Sequence, residues 1–177
     1  MGLMRPCLST MIFWSYKMQI IDNYLDEELF ARISDFVLGS QNIPWFLQKD
    51  ISGDGEEDTV YFTHLFHAEN TIQSNHFKFA IEPITFMLGA RAIVRVKGNL
   101  YPRTDELVYH KPHVDFDFPH QAAILYLNTN DGYTVVGGEK VESVRNRLLK
   151  FDPSVEHQST NCTDTPFRAN ININYFS

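Results

Sequence analysis

Arg168-Ala169-Asn170-Ile171-Asn172-Ile173-Asn174 is the stretch on which the reading of this chain turns. Polar and apolar residues alternate with the period of a β-strand. Arg168, Asn170, Asn172 and Asn174 therefore share one face, and Ala169, Ile171 and Ile173 share the other. A row of polar side chains pointing one way faces either solvent or a polar cavity. Solvent is the plainer account. A cation at the head of the row favours a cavity.

The sequence leading up to this strand has the same character. From Ala90 onward, short β-branched and apolar segments at 92–100, 111–116, 121–128, 133–136, 147–151 and 167–175 read as strands. Asp131-Gly132 and Gly137-Gly138 mark turns between them. Many short strands at close spacing argue for a sandwich or barrel.

Upstream, 18–22 reads as a first strand. Residues 26–38 carry Leu29, Phe30, Ile33, Phe36 and Val37 at helical spacing, with Asp26, Glu27 and Glu28 at the positive end and Gly39 as the stop. The acid- and glycine-rich stretch 51–58 reads as a loop, and 60–66 as a strand. A second helix is expected over 75–88, with Asn75 as its N-cap and Pro83 kinking or breaking it. The expected fold is mainly β, with two helices packed on the outside of one sheet.

At 177 residues, 44% hydrophobic and 14% aromatic, the chain is long and apolar enough for one core. With no repeat or linker visible, 18–177 is expected to be a single domain. Residues 1–17 then form a loose N-terminal extension, with Met11 and Met18 as alternative starts. The net charge of −7 disfavours a broad phosphate-binding surface, and with it a nucleic-acid partner. Cys7 and Cys162 are too few for a disulfide framework or a zinc–thiolate site, which fits a reducing cytoplasm. No apolar run has the length of a membrane span, and the N-terminus makes a poor signal peptide, so no membrane partner is expected.

The chemistry is carried by histidines and one aspartate. His113 and Asp115 lie two apart, so on a strand they point to one face. His157 supplies a second imidazole, and two imidazoles with one carboxylate make the facial triad of non-haem Fe(II) sites. An H-x-D tripeptide alone is weak, and a single strand histidine is more often structural. The shared face, the turn Asp152-Pro153-Ser154 before His157, and Arg168 beyond it raise the odds. The other histidines compete poorly. His64 and His67 would align on a helix, but their strand context turns them different ways. His76 sits at a helix start, and His110 and His120 flank the triad strand.

At this point the chain resembles the Fe(II)- and 2-oxoglutarate-dependent oxygenases, most closely the prolyl-hydroxylase-like branch. The residues concerned are Asn99-Leu100-Tyr101-Pro102, His113-Val114-Asp115, Ile124-Leu125-Tyr126-Leu127-Asn128, His157 and Arg168 with the strand that follows. Ile20-Ile21-Asp22-Asn23-Tyr24-Leu25 before a helix is similar to that branch's opening. The resemblance implies a double-stranded β-helix (jelly-roll) core, with Fe(II) held by His113, Asp115 and His157. It implies 2-oxoglutarate and O2 as cosubstrates, with ascorbate as a reductant. Arg168 would pair with the distal carboxylate of the keto acid, assisted by Tyr126. Asn99, Tyr101 and Asn170 would line the cosubstrate side, and Tyr109 and His110 the substrate pocket.

The implied reaction is hydroxylation of a C–H bond with release of succinate and CO2. Its substrate would be a prolyl residue of a peptide or protein, or free proline. Three alternatives stand beside it. Nucleic-acid demethylases carry a second arginine where this chain has Asn174. Hydroxylation of another small molecule and a non-catalytic jelly-roll module are the others.

Overall fold

A computed structural model describes residues 18–39, 41–50 and 59–177. The expectations for 1–17 and for the loop at 51–58 fall outside the described residues. In chain order the elements are β1 (Gln19–Ile21), α1 (Glu27–Leu38), β2 (Phe46–Gln48), β3 (Tyr61–Ala68), β4 (Thr71–Ile72), α2 (Phe77–Ala80), α3 (Glu82–Leu88), β5 (Ala92–Pro102), β6 (Gln121–Tyr126), β7 (Tyr133–Val136), β8 (Glu139–Glu142), β9 (Leu148–Phe151), β10 (His157–Ser159) and β11 (Phe167–Phe176). They build two antiparallel sheets. The larger runs β1-β9-β6-β11-β5-β3-β2, with β4 on β3, and the smaller runs β10-β7-β8. This is the mainly β, helix-flanked jelly-roll that the sequence led us to expect.

The alternating stretch lies at the centre of the large sheet, with β11 between β5 and β6. Its apolar residues Ala169, Ile171, Ile173 and Tyr175 enter a core shared with Phe30, Ile33 and Val37 of α1 and Ile84 of α3. Fully burying an aliphatic or aromatic side chain contributes about 1.5–3 kcal/mol, so this face fixes the strand's register. A one-residue slip would turn Arg168 and the asparagines into that core. On the other face, a smaller apolar cluster of Ala122, Ile124, Tyr126, Val136, Val141, Leu149 and Phe151 fills one end of the space between the sheets. The polar remainder of that space is the site described below.

Local chemistry explains the element ends. Asp26 caps α1 by accepting from the Leu29 amide at 2.9 Å. Buried Asn146, at φ 60°, accepts from the Leu25 amide at 3.0 Å and donates to the Leu25 carbonyl at 2.8 Å. It thereby ties the start of the fold to the loop before β9. The Gly137-Gly138 turn joins β7 to β8 with φ of 55° and 86°, the left-handed pair that a two-residue hairpin requires.

Several expectations are corrected. The helix at 75–88 is two helices, broken at Ile81 rather than at Pro83. Pro83 sits in the first turn of α3, where its missing N–H has no helical partner to lose. His76, not Asn75, holds the N-cap position of α2, without a side-chain cap bond. The segment 111–116 forms no strand and makes only the single bridge His113↔His157; Pro112 brings no amide to a ladder. The short strands β2, β4, β8 and β10 had too little periodicity to be read. A bulge between Leu65 and His67 also shifts the register of β3. As a result His64 and His67, expected to point apart, both pack toward the α2 segment, against His76 and Phe77 respectively.

Candidate metal and cosubstrate site

His113, Asp115 and His157 come together, each offering a ligand atom within 4.8 Å of the others. The backbone arranges this. His113 and His157 exchange both amide–carbonyl hydrogen bonds, at 2.9 and 3.0 Å, which brings their rings to 4.6 Å between centroids. Each imidazole is oriented from behind. Nδ1 of His113 donates to the Lys111 carbonyl at 3.2 Å, and Nδ1 of His157 to the Val155 carbonyl at 3.0 Å. A carbonyl only accepts, so the proton sits on Nδ1 and the lone pair on Nε2.

Nε2 of His157 is buried and, among the described residues, has no hydrogen-bond partner, as suits a metal ligand. Burial holds the His157 pKa below its ordinary value, with Asp115 opposing and His113 assisting. The His157 Nε2 lies 3.9 Å from Asp115 Oδ2. Burial pushes the Asp115 pKa up, but Arg95, His157, Asn174 and His113 outweigh it and hold the group below the usual carboxylate range. Arg95 donates to Oδ1 at 2.7 Å and Asn174 Nδ2 to Oδ2 at 2.8 Å. Two imidazoles and one ionised carboxylate are the donor set of an open Fe(II) site, and the residues present fit that ion.

The triad stands at one end of a cavity of about 180 Å³. Its walls are the facing sides of β5 and β11, whose register pairs Tyr101 with Arg168, Asn99 with Asn170, Lys97 with Asn172, and Arg95 with Asn174. The polar row of β11 thus meets a second polar row on β5. Asn99 Nδ2 donates to Asn170 Oδ1 at 3.0 Å across the pair. Tyr101 lies in a stack between Tyr61 and His110, with centroids at 5.4 and 4.9 Å.

Arg168 backs the opposite end. It is fully buried and donates to Ser143 Oγ at 2.6 Å, Thr134 Oγ1 at 2.9 Å and the Thr160 carbonyl at 3.1 Å. Its guanidinium carbon is 5.4 and 5.6 Å from the ring centroids of Tyr101 and Tyr126. Among the described residues no carboxylate pairs with it. A buried cation held only by neutral groups fits an anionic ligand. Tyr126 is also fully buried, and its hydroxyl donates to the same Thr134 Oγ1 at 2.8 Å. Thr134 is the group of this cluster that lines the cavity. Gly132 makes the close packing possible, because a Cβ there would collide with the Asn161 carbonyl and the Arg168 side chain.

Of the remaining sequence candidates, Asn99, Tyr101 and Asn170 line the cavity, whereas Tyr109 and His110 lie outside its lining. Tyr109 is exposed, with its hydroxyl bonded to that of Tyr133. His110 is buried behind Tyr101, with Nδ1 2.8 Å from Ser159 Oγ. Burial, with Arg168 and His113, depresses its pKa to about 3, so the ring is neutral. The sequence reading missed Arg95, Thr134 and Ser143. The alternation Arg95, Lys97, Asn99, Tyr101 along one strand was the available signal for the first. Nothing local distinguishes the two hydroxyls.

The sequence matches no family model and no curated protein. The fold does have solved counterparts. A 2OG-Fe(II) oxygenase family oxidoreductase from Burkholderia pseudomallei aligns with a TM-score of 0.68 at 11% identity, covering 90% of this chain and 84% of that one. A Trichoplax adhaerens prolyl hydroxylase, solved with a peptide fragment of the oxygen degradation domain of hypoxia inducible factor, aligns at 0.61 and 14%, covering 90% and 83%. The non-heme alpha-ketoglutarate-dependent epimerase SnoN from nogalamycin biosynthesis aligns at 0.63 and 16%, covering 90% and 77%. At these identities the likeness establishes the fold.

Proposed function

We propose that this chain is an Fe(II)- and 2-oxoglutarate-dependent oxygenase. One observation carries the reading. The ligand atoms of His113, Asp115 and His157 converge at one end of a cavity whose other end is backed by a fully buried arginine that has no carboxylate partner among the described residues. The folds of the neighbouring structures, two of them described as oxygenase or hydroxylase, support it. When bound, the Fe(II) would activate O2, with the keto acid decarboxylated to succinate and CO2 as one oxygen atom enters a substrate C–H bond.

The chain's own residues have distinct tasks. His113, Asp115 and His157 would hold the ion, which would supply the oxygen chemistry. Arg95 and Asn174 fix the Asp115 carboxylate, and the Lys111 and Val155 carbonyls fix the imidazole tautomers. Arg168 would neutralise the distal carboxylate of 2-oxoglutarate, and Tyr126 and Thr134 would complete that hydrogen-bonded end. Asn99, Tyr101 and Asn170 would line the path between the two ends.

Hydroxylation of a prolyl residue in a peptide or protein, or of free proline, is the substrate reading most in keeping with the sequence resemblance. The prolyl hydroxylase neighbour supports it. The test is an anaerobic titration with Fe(II) and 2-oxoglutarate, followed by the visible charge-transfer band of the chelate. A band in the wild type that is absent from His157→Ala is expected. A folded wild-type protein that gives no band would sink the proposal.

A further inference from the structure

Lys97 lines the cavity, and the proposed chemistry gives it no task. It projects from the middle of β5 into the cavity lining, opposite Asn172. Its ammonium lies 5.7 Å from the centroid of the Tyr61 ring and, among the described residues, has no hydrogen-bond or ion-pair partner. The charged groups around it are accounted for. Arg95 is bound to Asp115, and Asp115 belongs to the triad. Asp50 also lines the cavity, and among the described residues no ion pair joins it to Lys97. Burial and the nearby Arg95 push the lysine pKa down to about 8, against the pull of Asp115. Lys97 is half-buried, and a cation drawn partly out of water without a partner is costly.

The surroundings point to the ligand. Among the described residues, Oδ1 of Asn172, Lys97's cross-strand neighbour, is buried without a partner, as is Oδ1 of Asn99 two positions along β5. An unpaired cation beside unpaired amide oxygens complements a carboxylate carried next to an N–H group. 2-Oxoglutarate does not need Lys97: one of its carboxylates belongs at the metal and the other at Arg168. Lys97 is four residues along β5 from Tyr101, the partner of Arg168, or roughly 13 Å at strand rise.

Resting on the function proposed above, we infer that Lys97 binds the carboxylate of the primary substrate, which is a small free amino or imino acid oxidised close to that carboxylate. A residue within a peptide chain has no free α-carboxylate to offer, and the small volume of the cavity agrees with a compact substrate.

The test uses 13C-labelled acetate as a minimal carboxylate probe on the full chain. The protein is loaded with Mn(II), in place of Fe(II), and 2-oxoglutarate. Paramagnetic broadening of the acetate carboxyl signal reports binding near the metal, and calorimetry reports 2-oxoglutarate binding. Lys97→Met is expected to weaken acetate by about tenfold or more, and Lys97→Arg to retain it within about threefold. Both variants should keep their 2-oxoglutarate affinity within about threefold. Equal acetate broadening in wild type and Lys97→Met would overturn the inference. So would a large loss of 2-oxoglutarate affinity in Lys97→Met, which would make Lys97 a cosubstrate residue. A wild type that takes up neither metal nor 2-oxoglutarate would instead defeat the proposed function, and this inference with it. Matched binding of L-proline and L-prolinamide separates a free acid from a peptide-like ligand: the acid should bind the loaded wild type more tightly, and equal binding counts against the inference.

Discussion

Replacing Arg168 by Met removes a charge while keeping an unbranched side chain, and its two effects should be far apart in size. Consider first the protein without cosubstrate. The guanidinium is fully buried and donates to Ser143, Thr134 and the Thr160 carbonyl. Losing those three bonds costs stability, at about 1 kcal/mol net each. Removing a buried cation that has no carboxylate partner returns much of that loss. The unfolding free energy should therefore change by less than about 2 kcal/mol.

With 2-oxoglutarate the balance differs. Its distal carboxylate would be left buried and uncompensated, a penalty of about 3–5 kcal/mol. At about 1.4 kcal/mol per tenfold, affinity should fall by at least about 100-fold. A concentration of 100 times the wild-type Kd then stabilises the wild type by about 2.7 kcal/mol, but a variant weakened 100-fold by only about 0.4 kcal/mol. Urea unfolding with and without 2-oxoglutarate, in the presence of metal, measures both terms. The reasoning is refuted if the variant loses more than about 3 kcal/mol without cosubstrate yet is stabilised by it as well as the wild type is. Arg168 would then be a packing residue.

Two further predictions concern stability. His110 titrates near 6.5 when unfolded and is depressed to about 3 in the fold, so below pH 6.5 the unfolded chain binds the extra proton. Its contribution is complete above pH 6.5 and is lost as pH falls toward 3. Between pH 6.5 and 5 the wild type should lose about 2 kcal/mol that His110→Gln does not, read by urea unfolding at each pH; parallel pH profiles would contradict this. Asn146→Ala removes both hydrogen bonds to Leu25 and leaves a β-carbon at φ 60° without the asparagine side chain that favours it. It should cost about 2–4 kcal/mol and lower Tm, whereas Asn146→Gly should recover only the backbone part. Equal Tm for Asn146→Ala and wild type would show that this tie contributes little.

The features legible in the sequence are local ones. The alternation from Arg168 to Asn174 fixed which side chains face the core, since a β-strand has a period of two whatever surrounds it. The acids before Leu29 and the apolar spacing after it located α1. His113, Asp115 and His157 could be named because ligand chemistry restricts the residue types to a few. The failures follow from what is not local. The segment around His113 reads as a strand by composition, but it makes a single bridge, and Pro112 beside it brings no amide to a ladder. The break at Ile81 precedes the proline expected to cause it, because Pro83 is tolerated in a helix's first turn.

Sequence alone therefore determined the fold class, the strand face that carries the polar row, and the three residues that could hold a metal. Tertiary structure decided everything that depends on segments distant in sequence meeting. It set Arg95 against Asp115, Thr134 and Ser143 against Arg168, and left Lys97 facing the cavity with no hydrogen-bond or ion-pair partner among the described residues. These residues lie between 20 and 34 positions apart within their pairs. Their chemistry becomes specific only when burial removes water and leaves each charge or hydroxyl with the neighbours the sheets provide.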